Sequence, residues 1–144
     1  MSVEQDVAIA LAVSLSGVPY SLVYGTNCRE GPVRKASDNQ LLTGKVPHRC
    51  VFILSTTGEP DEPWQDGGLK TGRLKPGVQI WVRSDVQQYT NGLALAQAVW
   101  FAMDKTPPTG YQEARCSNSG PLYVREDDAG HHEWSINLIL HKQV

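Results

Sequence analysis

Few side chains in this sequence could do chemistry. His48, Cys50, Cys116, His131 and His132 offer the thiolate and imidazole groups that hold zinc, but their spacing matches no finger or ribbon. His131 and His132 are adjacent, so on a strand they point to opposite faces. A thiol nucleophile needs a base held by a third group. Cys50 with His131 or His132 is the one thiol–imidazole combination, and Cys50 stands in the apolar run HRCVFIL, the setting of an inert core cysteine. There is no Gly-x-Ser-x-Gly elbow, phosphate loop or dinucleotide glycine pattern. The acids Glu126, Asp127 and Asp128 read as a solvated hairpin tip rather than a cation site. The expectation is therefore no catalysis, no cofactor and no metal, with a small Cys- or metal-dependent enzyme as the alternative.

The elements that would position these groups are clearest at the C-terminal end. In the stretch GHHEWSINLILHK, His132, Trp134, Ile136, Leu138 and Leu140 alternate with Glu133, Ser135, Asn137 and His141. A period of two predicts a strand with one face on a core and the other toward water or a neighbour. Asp127 to Gly130 supplies turn chemistry, and Pro121 to Val124 a shorter extended piece, so the two form a β-hairpin.

At the other end, Ser2 with Gln5 has the capping-box pattern, and Glu4 and Asp6 sit where a helix dipole favours anions. Val3, Val7, Ala10, Leu11 and Ser14 share a helical face, widened by Ile9 and Val13. The spacing predicts a helix to about Ser16, ended by Gly17 and Pro19. Ser21–Tyr24 reads as a short strand, Gly25–Lys45 as a polar loop and His48–Leu54 as a buried strand. From Ser55 to Gly77 three prolines and five glycines predict a long excursion. Val78, Ile80 and Val82 mark a further strand. Ser84 and Gln87 suggest a cap for a second helix with Leu93, Ala96, Gln97, Trp100 and Phe101 on one face, and Gly92 inside it costs about 1 kcal/mol relative to alanine. Tyr111–Cys116 reads as another strand. This order predicts an α+β fold, a mostly antiparallel sheet packed against two helices with long inter-strand loops, in one domain over residues 1–144.

Composition narrows the function. The chain has 144 residues, 40% hydrophobic and 19% charged, which is the composition of a globular domain with an ordinary core. Its net charge of −2 and lack of a basic run argue against nucleic-acid or acidic-membrane binding. Three cysteines without paired spacing suit folding in a reducing cytosol. The apolar N-terminal stretch lacks a basic lead-in and is too short to span a bilayer.

Trp64 stands out within the polar excursion. A tryptophan on such a segment buries a large area at low entropic cost and often anchors a protein–protein contact. Asp61, Glu62 and Asp66 lie beside it, with Lys70, Arg73 and Lys75 further on and Arg83 on the next strand. Trp64, Asp61, Glu62, Lys70, Arg73 and Arg83 are the candidate interface residues.

Several of these stretches occur in a familiar order. Val46-Pro47 leads into a strand and a Gly/Pro-rich excursion. Pro76-Gly77-Val78-Gln79-Ile80 runs into Val82-Arg83-Ser84, then a helix with Tyr89 and ALAQAVW. Pro121-Leu122, an acidic turn and Ser135-Ile136-Asn137-Leu138 close it. From Val46 onward the chain resembles the small minor capsid or tail-completion proteins of long-tailed bacteriophages, the tail-terminator-like group. Arg125 and the Thr26–Lys45 segment depart from that pattern. The resemblance implies a subunit made in the host bacterial cytoplasm that forms a homo-oligomeric ring, a hexamer, in the tail or neck of the virion. Such a ring caps the tail tube protein, ends its polymerisation and meets the head connector or head-closure protein. Another neck subunit, a head-closure or adaptor protein, is the nearest alternative.

Overall fold

A computed structural model of the chain describes residues 2–31, 49–59 and 73–143. Its elements in order are α1 (Val3–Ser14), β1 (Cys28–Glu30), β2 (Cys50–Glu59), β3 (Arg73–Val86), α2 (Tyr89–Met103), β4 (Glu113–Cys116), β5 (Leu122–Glu126) and β6 (His131–Gln143). The six strands form one sheet in the order β1-β2-β3-β6-β4, with β5 also paired to β6. Only β1 and β2 run parallel among these pairs. Both helices pack on the same face, giving the expected α+β architecture.

The core follows from alternation. Val51 and Ile53, then Val78, Ile80 and Val82, then Trp134, Ile136, Leu138 and Leu140 all point inward. Val7 and Leu11 of α1 and Leu95, Ala96 and Val99 of α2 close over them in one cluster. β4 and β5 lie along the same edge of β6: Cys116 stands opposite Leu138, and Leu122 opposite Ser135. Ser117–Pro121 loops out between them, held where the Trp100 indole donates to the Asn118 carbonyl at 2.9 Å.

The capping of α1 matches expectation: the Ser2 hydroxyl accepts from the Gln5 amide at 3.2 Å. Elsewhere the structure corrects the reading. Val13, assigned to the buried face of α1, is 72% exposed, because Val7, Ala8, Leu11 and Ala12 form that face. The loop predicted from Gly25 contains β1, while Ser21–Tyr24 contributes only an isolated bridge from Tyr24 to Cys28. Three residues are too few to show a period, so β1 exists by pairing with β2. The excursion is shorter than Ser55–Gly77, since β2 runs to Glu59 and β3 begins at Arg73.

Ser84 does not cap α2. It belongs to β3, where its hydroxyl accepts from the His132 amide at 2.9 Å and donates to the Asp85 carbonyl at 2.7 Å. The residue preceding α2 is Gln88, with no side-chain cap. The buried face of α2 is Gly92, Leu95, Ala96, Val99 and Met103, which leaves Phe101 79% exposed. Gly92 sets this rotation. A Cβ there would lie 2.5 Å from Ser84 Cβ and 2.6 Å from Trp134 Cζ3, so the glycine is what lets the helix reach the sheet.

Candidate functional site

The groups with chemical potential are dispersed or engaged structurally. Cys50 is buried in β2, and burial pushes its thiol up to about 11, even with Arg83 beside it favouring the thiolate. Burial likewise pushes Cys28 and Cys116 to about 12, so all three thiols are poor nucleophiles at neutral pH. The fully buried His131 places Nδ1 2.9 Å from Asp127 Oδ2, while Asp127 Oδ1 accepts from the Ala129 and His131 amides at 2.9 Å. Burial works against the Asp127 charge, but these bonds outweigh it and hold the carboxyl below its ordinary value. The acidic tip is thus only partly solvated: Glu126 and Asp128 are exposed, whereas Asp127 is the clamp of the turn. His132 points the other way, its Nδ1 2.9 Å from the Tyr123 hydroxyl. Among the described residues no three His, Cys, Asp or Glu side chains form a metal-holding group; His48 lies outside them.

The sheet face away from the helices carries a row across four strands. Cys50 stands opposite Arg83, Arg83 opposite Glu133 and Glu133 opposite Arg125. The Arg125 Nε donates to Glu133 Oε1 at 2.9 Å, with Arg125 60% exposed and Glu133 9%. One row along, Phe52 and Trp81 stack with ring centroids 6.1 Å apart. Glu133, Ser135 and His141, expected to face water or a neighbour, are buried. The alternation holds, but neighbouring groups cover the second face as well.

The exposed apolar surface gathers elsewhere. Every residue of β5 is exposed, and three in succession are apolar: Leu122, Tyr123 and Val124. Beside them Tyr89, at the start of α2, packs its ring against Tyr123, His132 and Trp134 at 5.2–5.5 Å. The strands of the hairpin and the helix start are therefore joined by aromatic contacts, with Tyr89 and Tyr123 still partly exposed. Half-exposed apolar residues on an edge strand are the kind of surface that recruits another chain.

A second apolar surface lies at the far end of α2. A groove of about 400 Å³ runs between α1 and the segment after α2, floored by Ile9, Ala10, Met103 and Pro108 with Val13 at its lip. Asp6 forms part of its wall and accepts a 2.8 Å bond from the Tyr111 hydroxyl.

Of the candidate interface residues, Trp64, Asp61, Glu62 and Lys70 lie outside the described residues, as does Asp66. Arg73 opens β3 opposite Gln143. Arg83 is 3% exposed in the single chain, where it stands in register between Cys50 and Glu133. The apolar surfaces at β5 and the groove were not among the candidates. The signal for β5 was in the sequence, in three consecutive apolar residues without alternation.

A family model for the bacteriophage tail terminator protein matches residues 43–144. The chain belongs to that family, and is by family a structural protein of a phage tail. No curated protein matches it.

Proposed function

We propose that this tail terminator family member forms a ring, a hexamer, at the head-proximal end of the tail tube. There it ends tube polymerisation and joins the tail to the head connector or head-closure protein. The observation that carries this reading is the family match, which spans β2 to β6 and α2 and so includes most of the sheet. Two further features support it. The near-neutral charge suits protein partners over nucleic acid, and the apolar surfaces at β5 and the groove supply area for subunit contacts. The role needs no catalysis, metal or cofactor, and the subunit resides in the virion after synthesis in the host cytoplasm.

The test is to add the purified protein to polymerising tube protein. Tube length should stop increasing, with a closed ring of this chain at one end, and light scattering should give a ring mass for the protein alone. Tubes that grow unchanged, with no bound ring, would overturn the reading. Binding to the connector without binding to the tube would assign a head-closure or adaptor role instead.

The segment holding Trp64, Asp61, Glu62 and Lys70 is proposed to contribute to these contacts. Trp64→Ala should weaken ring formation or tail attachment while leaving the subunit's melting temperature nearly unchanged. A loss of several degrees in the subunit would make Trp64 a core residue.

A further inference from the structure

We propose that the β5 edge of one copy seats in the α1/α2 groove of the next, making the head-to-tail contact on which a ring depends. The inference rests on the ring reading above and names the surfaces that build it. A closed ring requires two different, complementary patches on each subunit, because a self-complementary patch closes at a dimer.

The two surfaces have these properties. β5 supplies the projecting side chains: on this edge strand Leu122, Tyr123 and Val124 are 41–49% exposed. The groove is a recess of about 400 Å³ with an apolar floor, a size that takes several apolar side chains. They lie at opposite ends of α2. Tyr89 packs on β5 and Met103 lines the groove, and a helix of 15 residues separates those ends by roughly 21 Å. That spacing leaves the two surfaces of a single chain well apart, whereas neighbouring copies can bring one of each together.

Charge supports a second copy as the occupant. Leu122 stands opposite Ser135 and Arg125 opposite Glu133, so both project from the same face of β5, and the Arg125 side chain is 60% exposed although its Nε bonds Glu133. The groove pairs its apolar floor with the Asp6 carboxylate in its wall. An apolar side chain beside a guanidinium thus meets an apolar recess beside a carboxylate, a match in both hydrophobicity and charge.

The experiment uses two full-length variants, Leu122→Arg for the projection and Val13→Arg for the groove. Both positions are exposed, at 49% and 72%, so each variant should melt with wild type. If either melts early, the milder pair Leu122→Ser and Val13→Ser replaces them. Light scattering should show a ring for wild type and a single-chain mass for each variant alone. Mixed, the two should form a one-to-one pair and stop there, since the mixture retains one intact projection and one intact groove per pair. If both variants still assemble, if only one fails to assemble, or if the mixture stays monomeric, the inference is overturned while the ring reading stands. A wild-type chain that remains monomeric at millimolar concentration overturns both.

Discussion

Gly92→Ala should destabilise the protein, although alanine is the best helix former and glycine nearly the worst. In an open helix this exchange gains about 1 kcal/mol. Here the added Cβ would meet Ser84 Cβ at 2.5 Å and Trp134 Cζ3 and Cη2 at 2.6 and 2.8 Å, all well inside ordinary carbon–carbon contact. Neither neighbour can yield cheaply. Ser84 sits at the register shift near the end of β3, held by its bond to the His132 amide, and the Trp134 ring is 1% exposed. The helix must lift, loosening Leu95, Ala96 and Val99 from the core. Overpacking of this kind costs about 1–3 kcal/mol, and here it should exceed the propensity gain. For a chain of this length each kcal/mol corresponds to about 2–4 °C, so the expected loss is several degrees. Thermal unfolding followed by circular dichroism measures it, and tryptophan fluorescence, to which the buried Trp134 contributes, should report the same transition. An alanine variant as stable as wild type would show that Gly92 is only a weak point in the helix.

Other outcomes follow from the same geometry. Ile136→Ala should cost about 2–5 kcal/mol in denaturant unfolding, because a side chain 2% exposed leaves a cavity; no loss would mean the β6 register is wrong. Iodoacetamide should label the folded protein slowly at pH 7.5 and rapidly once it is unfolded, since burial holds the thiols at about 11 and 12; fast labelling of the native state contradicts this. Asp127 has a folded pKa below its unfolded one, so its contribution is complete above the unfolded value and is lost as pH falls through the folded value. Asp127→Asn should therefore lower stability at pH 7 and flatten the acid limb of the stability curve, and an unchanged acid limb would remove Asp127 as its source. Glu133→Ala should cost more than Arg125→Ala, because Glu133 stands in register between two arginines and is 9% exposed while Arg125 is 60% exposed; paired unfolding measurements showing the reverse order would refute this.

The sequence was most informative where a residue's own neighbours in the chain decide its fate. Trp134, Ile136, Leu138 and Leu140 alternate, and all four are buried. Ser2 caps α1 through a local bond to Gln5. It was least informative where distant segments decide. Ser84 carries a helix-capping pattern, yet β3 continues past it to Val86, and its hydroxyl is taken by the His132 amide of β6, a residue 48 positions away. Two helical phases were open to α2, one presenting Phe101 and one presenting Val99. The choice between them lay in Gly92, whose missing side chain matters only against Trp134 across the layer. The burial of Glu133 and Ser135 has the same origin, since nothing in an alternating strand tells whether its polar side will be covered. For the surfaces, charged residues beside a tryptophan drew attention to Trp64, whereas an exposed apolar strand becomes visible only once its neighbours are placed.

The distribution of burial also limits where a partner can attach. The helices occupy one face of the sheet. On the other face Cys50, Phe52, Arg83, Glu133 and Ser135 are all buried within the single chain, so across these strands little apolar area remains there to be covered by association. Area that can still drive binding must come from groups left open by the fold. Among the described residues the large ones are Leu122, Tyr123 and Val124 on β5, Val86 and Tyr89 between β3 and the start of α2, Val13 and Phe101 on the helical layer, and Val18 and Val23 in the segment after α1. Burying exposed apolar groups stabilises an interface by about 25 cal/mol per Å², and polar groups already satisfied inside the chain add little to that. A partner that binds this fold through apolar contacts would therefore meet them at the sheet edge and the helical layer, not at the middle of the outer face.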